Sequence, residues 1–145
     1  MKTVLFLCTG NYYRSRLAEF YFNHLAEERR AHWRATSRGL RITGSNVGPL
    51  SAHTRAWLAE TGIHPAEPHR MPIPVLEADF WAADHVVAVK EAEHRSMVQE
   101  CFPHWADRVE YWHVHDLDAA LPDQALPGLA TLVESLFARL TAKQP

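Results

Sequence analysis

Five residues separate Cys8 from Arg14, and Ser15 follows, in the run CTGNYYRS. These types suit chemistry on a phosphate group. A thiolate is a strong nucleophile, and the planar guanidinium of arginine grips two phosphate oxygens at once, which a lysine ammonium does not. The run joins an apolar segment to a helical pattern, so it should lie at a helix N-terminus. There, unpaired backbone N–H groups and about half a positive charge attract an anion and favour the thiolate form of a cysteine. Gly10 lets the backbone curl closely around such a group.

The elements that must position this loop follow from periodicity. Thr3 to Cys8 is a continuous apolar run, as expected of a strand buried on both faces of a parallel sheet. Leu17, Phe20, Tyr21 and Leu25 recur at helical spacing and predict a helix ending near Glu28 to Arg30. Trp33 to Ser37 reads as a second strand. Gly39 to Pro49, with three glycines and a proline, reads as a surface loop of the length that often carries function.

Ser51 is placed to cap a helix running to Thr61, with Gly62 just past its end. Val75 to Ala82 predicts a short helix and His85 to Val89 a buried strand. His94, Met97, Val98 and Cys101 share one face of a helix that Pro103 ends, so Cys101 is expected in the core. Val109 to Val114 is the expected last strand. Leu129, Leu132, Val133, Leu136, Phe137 and Leu140 form the apolar stripe of a final helix that Pro127 can begin.

Strands alternating with helices imply an α/β fold: a three-layer, doubly wound sandwich around a central, mostly parallel four-stranded sheet. Ligands bind such folds beyond the carboxyl ends of the strands, where the Cys8 loop begins. The chain of 145 residues is long enough for one domain, 1–145. Its formal net charge of -2 gives no general reason to bind nucleic acid or an anionic membrane. No apolar run reaches the length of a membrane span, and two cysteines make no disulfide scaffold, so a reducing cytoplasm is the expected setting.

The sequence resembles the low-molecular-weight protein tyrosine phosphatase family, whose N-terminal loop is C-x5-R-S with Gly and Asn inside it. The resemblance extends to GPLSAHTRAWLAETGIH, to the His69-Arg70 pair, and to Ala83-Asp84-His85-Val86-Val87. It implies that Cys8 attacks phosphorus to give a phosphocysteine and that Arg14 binds the phosphoryl oxygens. It further implies that Ser15 hydrogen-bonds the sulfur and that Asn11 braces the loop. Thr9, Gly10, Asn11, Tyr12, Tyr13, Arg14 and Ser15 are thereby the expected substrate-binding residues, with no cofactor and no metal.

A carboxyl group must protonate the leaving oxygen and then activate water. The family places an aspartate near the C-terminus, usually before a proline. By that resemblance the segment Trp112-His113-Val114-His115-Asp116-Leu117-Asp118 makes Asp116 the general acid, with Asp118 as its rival and a turn-capping role open to both. The proline is Leu117 here. The second loop cysteine of many relatives is Tyr13, which excludes a protective loop disulfide.

Tyr12 and Tyr13 can wall the pocket or pack as core. Arg38 and Arg41 can attract an acidic phosphosubstrate or stand solvated. His113 and His115 sit two apart, but no third metal ligand is evident. The implied partner is a phosphorylated protein or a small phosphomonoester, and the sequence leaves the oligomeric state open. Arsenate reduction assisted by an external thiol, and phosphate binding without catalysis, are the competing readings.

Overall fold

Alternation along the first strand, β1 (Lys2–Cys8), decides the layering. Val4, Phe6 and Cys8 enter one apolar core with Leu17, Phe22, Leu129 and Leu136, while Leu5 and Leu7 enter a second with Phe80, Val98 and Trp105. Both faces of the strand are therefore covered, and Val4 to Leu7 are fully buried. The computed structural model describes residues 1–114 and 122–142.

The remaining elements are α1 (Arg14–Glu28), β2 (Trp33–Gly39), α2 (Ala52–Thr61), α3 (Glu77–Ala82), β3 (His85–Ala88), α4 (Glu91–Cys101), β4 (Glu110–Tyr111) and α5 (Pro122–Thr141). The strands form one parallel four-stranded sheet in the order β2-β1-β3-β4. Helices α1 and α5 cover one face; α3 and α4 cover the other. From β1 the chain moves to β2 on one side and then crosses to β3 on the other. The crevice at the carboxyl ends of β1 and β3 is thus the topological switch point, where open α/β sheets bind ligands.

Local signals set most boundaries. Ser51 Oγ accepts from the backbone N–H groups of His53 (3.0 Å) and Thr54 (3.3 Å), capping α2, and Gly62 ends that helix at φ 76°. The left-handed residue after α1 is Arg30 (φ 52°). It is flanked by the Arg30 N–H to Glu27 carbonyl and Ala31 N–H to Ala26 carbonyl bonds of a Schellman end.

Several boundaries depart from the sequence expectation. α5 begins at Pro122 and keeps Pro127 inside it. α3 begins at Glu77, because Leu76 is its extended N-cap and donates its N–H to the Asp79 carboxylate. β4 is only Glu110–Tyr111; beyond it Val114 still donates its N–H to the Val89 carbonyl. Gly39 closes β2 rather than opening a loop, and its N–H and carbonyl pair with Ile73 and Val75.

Cys101 is exposed rather than core, because its position at the C-terminus of α4 carries it past the packed face that Val98 and His94 occupy. It lies eight positions, about 12 Å of helical rise, beyond Glu93 at the start of α4. Among the described residues no helix is long and apolar enough to cross a membrane.

Candidate active site

The Cys8 loop leaves β1 and enters α1 at Arg14, whose helix has no side-chain cap and no acidic residue in its first turn. Nothing in that turn offsets the positive end of the helix dipole. The backbone reverses at Asn11, with φ 52°, a conformation asparagine adopts more readily than other non-glycine residues. Gly10 serves close approach instead, since a Cβ there would stand 3.1 Å from Asn46 Nδ2.

Asn11 is fully buried and uses all of its hydrogen-bonding capacity. Nδ2 donates to Ser15 Oγ (2.9 Å) and Ser37 Oγ (2.8 Å); Oδ1 accepts from Arg70 Nη1 (3.0 Å) and the Ile73 N–H (3.1 Å). One lone pair of Ser15 Oγ is thereby occupied. Its oxygen accepts from Asn11, so its hydrogen is available for Cys8 Sγ, 2.9 Å away. Cys8 is 2% exposed and stands at the floor of a cavity of about 380 Å³.

The cavity is lined by Cys8, Gly10, Tyr12, Tyr13 and Arg14 from the loop and by Asn46, Ser51, Ala52 and His53 from beyond it. α2 presents its N-terminus here. Ser51 N–H donates to the Tyr12 carbonyl (2.9 Å), and Thr54 Oγ1 donates to the Tyr13 carbonyl (3.2 Å). Tyr12 is the partly open wall, its hydroxyl donating to the Val47 carbonyl at 2.6 Å. Tyr13 is both wall and core, 5% exposed and edge-on to His53.

Arg14 is 2% exposed. Its Nη2 donates to Glu93 Oε1 at 3.1 Å and its Nη1 to the Val114 carbonyl at 3.1 Å. Burial pushes the Glu93 carboxyl up, but the hydrogen bonds from Arg14 and Thr9 and the charge of Arg14 outweigh it and hold it at about 2. Burial, reinforced by Arg14, pushes the fully buried His94 down to about 4.

Further side chains brace the residues that hold the loop. Arg70 Nη2 donates to the Ser37 carbonyl (2.9 Å) and to Glu19 Oε1 (3.2 Å), and Ser37 Oγ donates to the same carboxylate. Arg16, 1% exposed, donates to the carbonyls of Pro49 and Arg70, and burial lowers it to about 10.

Of the residues expected from sequence, Cys8, Gly10, Tyr12, Tyr13 and Arg14 line the cavity. Asn11 and Ser15 brace it, and Thr9 faces Glu93 and His94. Asp116, Asp118 and His115 lie outside the described residues. Arg38 and Arg41 do not line the cavity; they pair with Asp79 (3.5 Å) and Glu100 (3.2 Å). Among the described residues no group of three or more His, Cys, Asp or Glu side chains is placed to hold a metal ion.

Sequence reasoning missed Glu93, His94, Ser37, Glu19 and His53. Glu93 looks like any acid in the first turn of a helix, and only the pairing of β1 with β3 brings it to Arg14. The His69-Arg70 pair is the sequence signal for the bracing that Arg70 gives Asn11, Ser37 and Glu19.

The model of the low molecular weight phosphotyrosine protein phosphatase family matches residues 3–128. No curated protein matches the chain significantly. Among solved structures, YfkJ from Bacillus subtilis superposes with a TM-score of 0.85 at 22% identity, covering 100% of this chain and 98% of that one. A low molecular weight protein tyrosine phosphatase from T. tengcongensis gives 0.79 at 25% identity, covering 96% and 99%. The YwlE arginine phosphatase from Geobacillus stearothermophilus gives 0.79 at 24%, covering 99% and 96%. With the Cys8-to-Ser15 loop at the switch point and a family match over residues 3–128, the chain belongs to the low molecular weight phosphotyrosine protein phosphatase family.

Proposed function

We propose that the protein hydrolyses phosphomonoesters of the phosphotyrosine type through a phosphocysteine on Cys8, with Asp116 as general acid. The carrying observation is the juxtaposition of a buried Cys8 Sγ, the Ser15 hydroxyl at 2.9 Å and Arg14 at the floor of one open cavity. Cys8 attacks phosphorus as the P–O ester bond breaks, and the leaving oxygen takes the Asp116 proton. Asp116 then takes a proton from water, which attacks the phosphocysteine; the P–S electron pair returns to sulfur, where Ser15 donates to it.

Two features support the finer assignment. Tyr12, Tyr13 and His53 give the cavity aromatic walls suited to a phenyl ring. Val114, whose carbonyl accepts from Arg14, lies two residues before Asp116 in the sequence. The test is hydrolysis of p-nitrophenyl phosphate, with phosphotyrosine and phosphoarginine peptides in parallel.

Cys8→Ser should abolish turnover of every substrate, and an acid-quenched reaction of the native enzyme should yield phosphate bound to Cys8. Asp116→Asn should slow an alkyl phosphate far more than p-nitrophenyl phosphate, whose leaving group needs less protonation. If Asp118→Asn does so instead, the acid is Asp118. Preference for phosphoarginine would overturn the substrate class and leave the nucleophile in place.

A further inference from the structure

The arginine of the loop is itself held by a carboxylate that the proposed reaction does not use. Glu93 meets the Arg14 guanidinium with both oxygens, Oε1 at 3.1 Å from Nη2 and Oε2 at 3.4 Å from Nη1. This is the fork-on-carboxylate arrangement that fixes an arginine in plane as well as in position. Arg14 lines the cavity, and Glu93 does not.

The carboxylate is held in turn by a chain of hydrogen bonds with one consistent set of protons. The Lys90 N–H donates to His94 Nδ1 (3.1 Å), so the proton of the neutral ring is on Nε2. Nε2 lies 3.0 Å from Thr9 Oγ1, which accepts it and passes its own hydrogen to Glu93 Oε1. Thr9 is part of the loop that carries Cys8. The chain therefore ties the loop, the start of α4 and the guanidinium into one unit.

We propose that Glu93 is a positioning residue for Arg14, and that Thr9 and His94 hold its carboxylate against the guanidinium. The inference rests on the phosphatase reading of the cavity. A free arginine side chain carries about 2 kcal/mol of rotamer entropy, which must be lost when it grips a phosphoryl group. Fixing it beforehand moves that loss out of the reaction and lowers the barrier. The negative charge of Glu93 works against binding of a phosphate dianion, so the device exchanges some ground-state affinity for orientation. With its carboxyl at about 2 and His94 at about 4, the unit keeps its protonation state throughout the neutral range.

The trade gives a signature that a purely structural role lacks. Glu93→Gln keeps the shape and removes the charge. It should lower kcat for p-nitrophenyl phosphate by about tenfold, while inhibition by inorganic phosphate stays the same or tightens. In an Arg14→Ala background the same substitution should change kcat/KM by less than about twofold, because Glu93 acts only through that side chain.

Thr9→Val, which removes the hydroxyl between His94 and Glu93, should give a smaller loss with the same dependence on Arg14. It carries the test if Glu93→Gln fails to fold in a thermal melt. An equal loss with and without Arg14, an unchanged kcat, or phosphate inhibition weakened in step with kcat would overturn the inference. If Arg14→Ala by itself leaves hydrolysis intact, the phosphatase reading is what fails.

Discussion

At the residue scale the site is organised by hydrogen-bond direction rather than by charge alone. Asn11 spends two donors on Ser15 and Ser37, and this leaves the Ser15 hydrogen for the sulfur of Cys8. Asn11→Asp keeps the shape but turns both donors into acceptors, so Ser15 must direct its hydrogen to Asp and away from sulfur. A hydrogen bond to a charged group is worth about 1.5 to 3 kcal/mol. Turnover of p-nitrophenyl phosphate should therefore fall roughly 10- to 100-fold, with steady-state kinetics as the measurement. An unchanged kcat would mean that Ser15 does not serve the sulfur.

At the scale of elements, the cavity depends on two helix termini meeting at one strand end. Helix α1 brings Arg14, and α2 brings Ser51, Ala52 and His53 through backbone bonds to the loop. Ser51→Ala removes the cap of α2 and should cost about 1 kcal/mol in chemical denaturation. Arg30 offers the opposite case. It holds a left-handed conformation at the end of α1, which costs a non-glycine residue roughly 1 kcal/mol. Arg30→Gly should raise stability by about that amount and leave kcat unchanged, since the site is at the other end of the helix.

The pattern of what was legible follows from the same geometry. The cap at Ser51, the stop at Gly62 and the strand β1 are written locally, in residue types that favour one backbone state. The start of α5 differs from the expectation because Pro127 suits a first turn, yet the chain tolerates it inside a helix that begins at Pro122. Cys101 differs from the expectation because helical spacing places a residue on a face without saying how far along the helix the packing extends.

Over the whole molecule, acid should destabilise the protein across two adjoining pH ranges. His94 sits at about 4 in the folded state against an ordinary 6.5, so the unfolded chain takes up that proton first. Its contribution is complete above about pH 6.5 and is lost as pH falls through about 4. Glu93 and Glu110 are both held at about 2 against an ordinary 4.5, so theirs is present above about 4.5 and is lost as pH falls through about 2.

For Glu110 the His85 hydrogen bond is the main cause. Burial opposes it, and bonds from Arg139 and Trp112 add to it, tying β4 to α5. Unfolding midpoints in urea measured from pH 7 to 3 should decline throughout. His94→Gln should flatten the limb between about 6.5 and 4 and leave the lower limb in place. A full decline between 6.5 and 4 in that variant would show that another group carries it.

The α/β architecture and the Cys8-to-Ser15 loop could be read from residue order, because both rest on short-range rules: apolar period, turn chemistry and the spacing of a cysteine from an arginine. What surrounds that loop emerges from the folded chain. Glu93 lies 79 residues from Arg14 and Arg70 lies 59 from Asn11, and each acts through a contact that exists only once β1 stands between β2 and β3. Such pairings depend on the crossing of the chain at the switch point. No local pattern of side chains records it.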